Sequence, residues 1–329
     1  MRRQPDGLRS TRRSRSFYPV NDPQLAERMR AVSFEGYYTY LLYQDLDFVM
    51  PYELNRESDP EVLVVGPDAD RATPLIEQAL SGRERTSSLY NALRKFVSSA
   101  AQHLVLAGPI AYEIDYLYPA ESADPSAGPS AFRLEPIAPG TFAYHGRTPI
   151  QYVLATLGSQ QDETGLTYVE LDPETLITIR FDEPTETAVR RMVDFLRAAN
   201  RLQGSEHALM EQSMRGMTPY SFSQDQRERG ELFATVTEPV GWNVRGLFTD
   251  NRLEPYNVWR GIRFLEFKIR LRDLIIDRLN QALHQAGGRL GFQATIELSG
   301  LPALAEVQEA KDDLRAGRRG LSEIAKSLV

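Results

Sequence analysis

The chain has 329 residues, of which 42% are hydrophobic and 25% are charged, and this composition allows a sizeable folded core. It contains no cysteine, which excludes disulfides, thiolate zinc sites and cysteine nucleophiles and agrees with folding in a reducing compartment. No apolar run approaches the roughly 20 residues that span a bilayer, and the first residues lack the apolar stretch of a secretory signal, so neither a membrane anchor nor export is expected.

The net charge of −7 is distributed unevenly along the chain. Acidic residues dominate the body, and an acidic body repels a phosphate backbone. Residues 1–20 have no apolar periodicity and are predicted to be a disordered basic tail that acts as a solubilising arm or contacts nucleic acid. The arginines of this tail are Arg2, Arg3, Arg9, Arg12, Arg13 and Arg15.

The first half of the chain predicts helices followed by strands. A helix is expected near residues 23–34, and the tyrosine run 37–43 after it is typical of a core or a subunit contact. The apolar spacing of residues 86–107 predicts a helix that ends at Gly108-Pro109. Residues 110–118 alternate apolar side chains with Glu113 and Asp115, which predicts a strand with one face in water.

Turn signals and further alternation continue the β region. Residues 120–129 are small, polar and proline-rich, and predict a loop. Strands are expected at residues 132–137, at 142–154 with an interruption at His145-Gly146, and at 175–181. Together with the preceding helix, these segments predict an antiparallel β unit backed by a helix.

The second half of the chain is predicted to be mainly helical. A helix from residue 185 is broken at residues 214–222 and resumes at 223–234. The proline- and glycine-bearing stretch 238–255 predicts a long irregular loop, and such loops tend to be functional or disordered.

Residues 256–285 form the longest predicted helix, about 45 Å in length. Its apolar residues lie on more than one side, which predicts burial in its own domain together with contact to a neighbouring subunit. The packing residues of this helix are Trp259, Ile262, Leu265, Ile269, Ile276 and Leu279. Gly287-Gly288 is expected to end the helix, and a strand at 292–298 and two small helices follow.

The sequence contains little that indicates catalysis. The four histidines are scattered, and no nucleophile elbow, phosphate-binding loop or dinucleotide fingerprint is present. Asp172, Glu174, Asp182 and Glu183 could hold a divalent cation, although carboxylate-rich turns are usually only solvated. We therefore expect a protein without enzymatic activity, cofactor or metal.

The order of these elements resembles the portal, or head–tail connector, proteins of tailed bacteriophages, over roughly residues 86–329. Residues 106–114 are similar to the wing of that family, where a helix enters a strand through a small-residue turn. Residues 134–140 are similar to its proline-containing strand, and residues 171–179 to the strand that leaves the wing. Residues 296–301 and the helix after them are similar to its crown region.

The resemblance implies an α+β fold that is helix-rich, with an antiparallel β wing, a stem helix pair and a long spine helix. It divides the chain into a wing at 21–184, stem helices at 185–237 with a short clip near 213–222, a channel loop at 238–255, a spine helix at 256–286 and a crown-like region at 287–329. The DNA-facing residues that it implies in the channel loop are Arg245, Asp250, Arg252 and Glu254.

The function that the resemblance implies is a homo-oligomeric ring, a dodecamer, at one capsid vertex of a virion. Viral double-stranded DNA would be packaged and ejected through the ring, with the major capsid protein, terminase and tail adaptor proteins as partners. Another virion structural or head-completion protein is the alternative. An enzyme would need a polar pocket-lining cluster, and a nucleic-acid-binding regulator would need a basic face beyond the tail.

Overall fold

The computed structural model describes residues 8–10, 18–20, 36–51, 60–81, 88–119, 128–156, 164–214, 222–246, 254–320 and 323–324. These residues form helices and small antiparallel sheets, so the expected α+β class is confirmed. The chain divides into two compact units. The first contains the N-terminal strands with residues 51–180 and 274–300, and the second contains residues 34–50, 181–273 and 301–329.

The strands are β1 (Leu8–Ser10), β2 (Tyr18–Val20), β3 (Glu61–Val65), β4 (Ile110–Pro119), β5 (Ala131–Pro136), β6 (Phe142–His145), β7 (Thr148–Thr156), β8 (Thr164–Glu170), β9 (Leu176–Ile179) and β10 (Thr295–Ser299). The helices are α1 (Tyr37–Leu46), α2 (Ala69–Ser81), α3 (Leu89–Ala107), α4 (Glu183–Met214), α5 (Phe222–Thr237), α6 (Glu254–Leu290) and α7 (Leu304–Arg315).

The first unit is built on three antiparallel sheets. Strand β4 pairs with β5, β9 and β1, a second sheet has the order β2-β8-β7-β6, and β3 pairs with β10. Ser88 caps the N-terminus of helix α3, and its hydroxyl accepts a hydrogen bond from the Asn91 N–H at 3.2 Å. The helix packs on β4 through Phe96 and Tyr112. The predicted β unit backed by a helix is therefore confirmed.

The expectation that β4 has one face in water is wrong. Glu113 and Asp115 are only 2% and 1% exposed, and the strand is buried along nearly its whole length. Arg133 lies directly opposite Asp115 on β5 and forms an ion pair with it at 3.1 Å. The alternation of apolar and charged residues reflects a buried ion pair here. A period of two shows only that the charged side chains share one face of the strand, and that face can contact either water or a paired charge.

The second unit packs α1 between longer helices. The Tyr38 ring lies 4.7 Å from that of Phe233 on α5, and Phe233 also contacts Phe195 on α4. The Tyr38 N–H donates to Asn200 Oδ1 at 2.9 Å. The N-terminal part of α6 joins this unit through a separate apolar cluster with α7, in which Ile262 and Ile269 are buried.

The long helix α6 does not end at Gly287-Gly288 as expected, but continues to Leu290. Gly287 is required for close packing, because a Cβ there would lie 2.2 Å from the Phe292 carbonyl oxygen. The helix ends at Gly291, which has a positive φ of 71°, and Arg71 of α2 donates to the carbonyl oxygens of Leu290 and Gly291. A glycine pair thus does not always end a helix, because a glycine inside a helix can instead allow neighbouring backbone to approach closely.

Several other boundaries also differ from those expected. Residues 8–10 and 18–20 form strands, so the prediction of a disordered tail is wrong for these two segments, while the rest of 1–20 lies outside the described residues. The helix predicted at 23–34 and most of the loop at 120–129 also lie outside them. Strand β3 and helix α2 were not anticipated, and the tyrosine run proves to be helical.

Candidate functional site: the turn before the long helix

The structure describes the first half of the predicted channel loop, residues 238–246. These residues leave α5 in a tight turn and end in a 3-10 turn at Val244–Gly246. Of the four predicted DNA-facing residues, Arg245 lies in this turn and Glu254 is the first residue of α6. Asp250 and Arg252 lie outside the described residues, so the tip of the loop stays a prediction.

Gly241 sets the path of the chain out of α5. Its φ is +83°, and its N–H donates to the Thr237 carbonyl oxygen at 2.9 Å. A Cβ at this position would lie 2.5 Å from the Arg263 Cβ and from the Phe264 nitrogen of α6. Because both the backbone conformation and the space exclude a side chain, we conclude that this turn needs glycine.

Asp45 at the end of α1 holds the middle of the turn. The Trp242 indole N–H donates to Asp45 Oδ2 at 2.8 Å, and Trp242 is only 1% exposed. Arg245 Nε donates to the other carboxylate oxygen at 2.8 Å, and a second guanidinium nitrogen forms an ion pair with it at 2.7 Å. One carboxylate thus binds two residues of the turn with both of its oxygens.

Arg260 of α6 holds the same turn from the other side. Its guanidinium donates to the Ala234 carbonyl oxygen at 2.8 Å, to the Thr237 hydroxyl and to the Trp242 carbonyl oxygen. The side chain is 1% exposed, and burial lowers the pKa of Arg260, although an arginine remains protonated at neutral pH. A buried cation at the C-terminus of α5 is also favoured by the helix dipole.

The turn contains unusual backbone conformations. Val244 and Arg245 both have a φ of +54°, in the left-handed region that side-chain-bearing residues rarely adopt. For a β-branched residue such as Val244, this conformation costs on the order of 1–3 kcal/mol. The contacts of Asp45 and Arg260 act against this cost and tie the turn to α1 and α6.

The predicted packing residues of α6 are mostly buried inside the single chain. Ile262, Ile269, Ile276 and Leu279 are each 8% exposed or less. Leu265 packs against the cluster formed with α7. These residues are thus core residues of the single chain, and contact between this helix and a neighbouring subunit stays a prediction.

Trp259 is half-buried, and the Lys311 ammonium lies 5.9 Å from the centre of its ring. The same ammonium forms an ion pair with Glu266 at 2.7 Å. Burial alone would raise the pKa of Glu266, but Lys311 and Arg270 more than offset this effect, and the pKa of Glu266 lies below its usual range.

The acidic residues proposed as a cation site have structural uses. Asp172 Oδ1 accepts the Glu174 N–H at 2.9 Å in a turn, and Asp182 Oδ1 accepts the Thr185 N–H at 3.2 Å at the start of α4. Glu174 forms an ion pair with Arg289 at 3.4 Å, and Glu183 is the first residue of α4. In the part of the chain that the structure describes, no group of three or more potential ligands is placed to hold a metal ion.

The polar residues that define the turn were not identified from the sequence. Asp45 follows the tyrosine run by two residues, and Arg260 interrupts an apolar helix face. A single arginine in such a face is a signal for a buried polar contact, but its acceptors belong to residues about 20 positions away and cannot be read from spacing.

Among the described helices, none is long and apolar enough to cross a membrane. No protein-family model matches the chain, and no curated protein matches it.

Proposed function

We propose that the chain is the subunit of a closed ring of the portal, or head–tail connector, kind, located in a virion and surrounding viral DNA during packaging and ejection. The observation that carries the proposal is the order of the elements. Helix α3 enters β4 directly and the β region follows. Helices α4 and α5, in contact through Phe195 and Phe233, then precede the turn and the 37-residue helix α6. A short strand and helix α7 then end the series.

The turn at 238–246 supports a mechanical role for the loop after it. A loop that touches DNA in a channel must keep its position while the DNA slides. A preceding turn that is held by Asp45 and Arg260 meets this requirement. Because Arg245 is already paired with Asp45, its charge is partly neutralised, so the tip at 247–253 has to supply contacts to phosphate. Shortening that tip should leave particle yield unchanged and reduce the DNA content of the particles. If the particles have normal DNA content, the tip has no role in packaging or retaining the DNA.

Helix α1 supplies a candidate subunit contact for the ring. Tyr37 and Tyr40 lie one turn apart on the same face and are 48% and 53% exposed, and Phe48 in the 3-10 turn after the helix is 52% exposed. Three half-exposed aromatic side chains offer roughly 300 Å², whereas a stable interface needs about 800 Å² per partner. These residues would therefore form only part of the contact.

The burial of α6 inside the chain favours the alternative, another virion structural or head-completion protein that does not close into a ring. The native mass of the purified protein separates the two functions. The variant Tyr40→Glu, with Tyr40→Phe as its matched control, tests whether α1 lies in the interface of the ring. In a ring that uses this surface, Tyr40→Glu reduces the native mass to that of smaller species, while Tyr40→Phe leaves it unchanged. An unchanged native mass for a folded Tyr40→Glu protein removes α1 from the interface.

Capsid protein, terminase and tail adaptors would be partners of such a ring at a capsid vertex. Each of these contacts follows from the proposed assembly. They are tested only after the ring itself has been established.

A further inference from the structure

The two-stranded sheet of β3 and β10 has helix α6 along one of its edges. The side-chain amide of Asn280 on α6 donates to the Ile296 carbonyl oxygen at 3.0 Å and accepts the Ile296 N–H at 2.8 Å. Both main-chain groups of Ile296 therefore point away from β3. Asn280 takes the place that a further strand would have to occupy, so β10 cannot pair with another strand at this point.

The opposite edge of the sheet, on β3, is open. Ile296 pairs directly with Val64, and in an antiparallel ladder a residue whose main-chain groups point outward faces one whose groups also point outward. The N–H and C=O groups of Val64, and those of Val62 two residues before it, thus point away from β10. No residue in the described part of the chain forms a hydrogen bond with these four groups.

The open edge also carries exposed apolar side chains. Leu63 and Val65 are 43% and 41% exposed, on the face of the sheet opposite to the buried Ile296. A two-stranded sheet is marginally stable by itself, and an apolar edge strand with unpaired main-chain groups is a template for pairing with another chain. Strand β3 therefore has both the main-chain groups and the side chains of a strand that pairs between molecules.

We propose that β3 pairs antiparallel with β3 of a second copy of this chain, about a twofold axis at Leu63. In this register Val62 of each copy lies opposite Val64 of the other, and their outward N–H and C=O groups form four hydrogen bonds. All five residues of the two strands overlap, and Leu63 packs against Leu63 of the second copy. The product is a four-stranded sheet with the order β10-β3-β3-β10.

The charges of β3 favour this occupant and this orientation. Glu61 is the one charged residue of the strand. The antiparallel register places Glu61 opposite Val65 of the second copy, whereas parallel pairing in register would place two Glu61 carboxylates side by side, which is destabilising. Because α6 lies along the other edge of the sheet at Ile296, the pairing ends at two copies.

The contact is small and differs from the contacts within a ring. Five residues of a strand are about 17 Å long, whereas a stable interface needs about 800 Å² per partner, so we expect weak association. A twofold contact uses the same surface on both copies, but neighbours in a cyclic ring of more than two copies meet through two different surfaces. The inference therefore goes beyond the proposed ring and does not depend on it.

Disulfide trapping in the full chain tests the pairing. The chain contains no cysteine, so one substitution introduces its only thiol. Leu63→Cys places two thiols opposite each other in a non-hydrogen-bonded pair, where the Cα atoms are about 4.5 Å apart and a disulfide can form. Val65→Cys is the matched control, since Val65 has nearly the same exposure on the same face, but its two copies would lie about 13 Å apart along the strands.

Both variants are oxidised with copper phenanthroline at equal protein concentration, and the covalent dimer is followed on non-reducing gels. We expect Leu63→Cys to form the dimer about tenfold faster than Val65→Cys, because cysteines with Cα atoms more than about 7 Å apart are not bridged. Equal rates for the two variants overturn the inference.

Two further measurements leave Leu63 unaltered or break the pairing. In an equal mixture of Glu61→Cys and Val65→Cys, the two thiols lie opposite each other, so the mixture should cross-link faster than either variant alone. Adding Val64→Pro to Leu63→Cys removes the outward N–H and no bond to β10, so the double variant should fold, as judged by circular dichroism, and lose the cross-link. No gain in the mixture, or a cross-link that persists in the folded proline variant, contradicts the proposed register.

Discussion

Replacing Arg260 by Met is expected to destabilise the second unit more than any exposed arginine change on the same helix. Met is close to Arg in length, so the main loss is that of the guanidinium. Its donors bind Ala234 O, Thr237 Oγ1 and Trp242 O, and all three acceptors then lack this partner in a buried setting. Hydrogen bonds to a charged group contribute about 1.5–3 kcal/mol each, and some acceptors will find water after relaxation. We therefore expect a loss of about 3–5 kcal/mol in the free energy of unfolding.

The matched control is Arg263→Met, one turn further along α6. Arg263 pairs with Glu238 at 3.2 Å, but its side chain is 28% exposed and that of Glu238 is 61% exposed. An ion pair of this kind contributes at most about 1 kcal/mol. The two variants thus remove the same functional group from the same helix and differ mainly in the burial of their contacts.

Urea unfolding followed by tryptophan fluorescence measures both variants. The chain has two tryptophans, so a Trp259→Phe background leaves Trp242 as the single reporter beside the Arg260 contact. The expected result is a lower midpoint for Arg260→Met with a nearly unchanged slope. If the two variants lose the same amount of stability, within about 0.5 kcal/mol, Arg260 does not hold the turn and the reasoning is refuted.

Two further predictions concern α6. Gly287→Ala should destabilise the protein by more than about 2 kcal/mol, as at other overpacked sites, because the added Cβ would lie 2.2 Å from the Phe292 carbonyl oxygen. A Cβ at Gly288 meets open space, so Gly288→Ala should stabilise the protein by up to about 1 kcal/mol. Thermal unfolding compares the two variants, and equal effects would mean that the contact at Gly287 is absent. Glu266→Gln should cost about 1–2 kcal/mol at pH 7. The pKa of Glu266 is lower in the folded protein than in the unfolded chain, so the ion pair with Lys311 contributes stability above the unfolded pKa. This contribution is lost as the pH falls through the folded pKa. If the difference in unfolding free energy between Glu266→Gln and the unaltered protein is constant from pH 7 to pH 3, the assignment is contradicted.

The regular elements with strong periodicity were predictable from the sequence. The helix predicted at 86–107 lies within a few residues of α3. The strand predicted at 142–154, with an interruption at His145-Gly146, is two strands, β6 and β7, that pair with each other. Their signals are local, since apolar spacing sets the buried face and a turn residue sets the end. Strand β3 also has a local signal, the run Glu61–Val65 rich in β-branched residues, and could have been recognised from it.

The features that were wrong or missed depend on contacts between distant residues. The burial of Asp115 needs Arg133 opposite it on β5, and the passage of α6 through Gly287 needs the backbone of Phe292 beside it. Asp45 and Arg245 are 200 positions apart in the chain and meet only after folding. No periodicity in one sequence reports such pairings, which is why the candidate site was located to a loop but its binding residues were not identified.

The measurement that tests the central proposal most directly is the native mass of the purified chain, by light scattering combined with negative-stain imaging over a range of protein concentrations and salts. A subunit mass of 37.2 kDa predicts a species of about 450 kDa for a closed ring of about a dozen copies, seen in projection as a ring with a central opening. A mass of one subunit under every condition, with no ring in the images, would contradict the account.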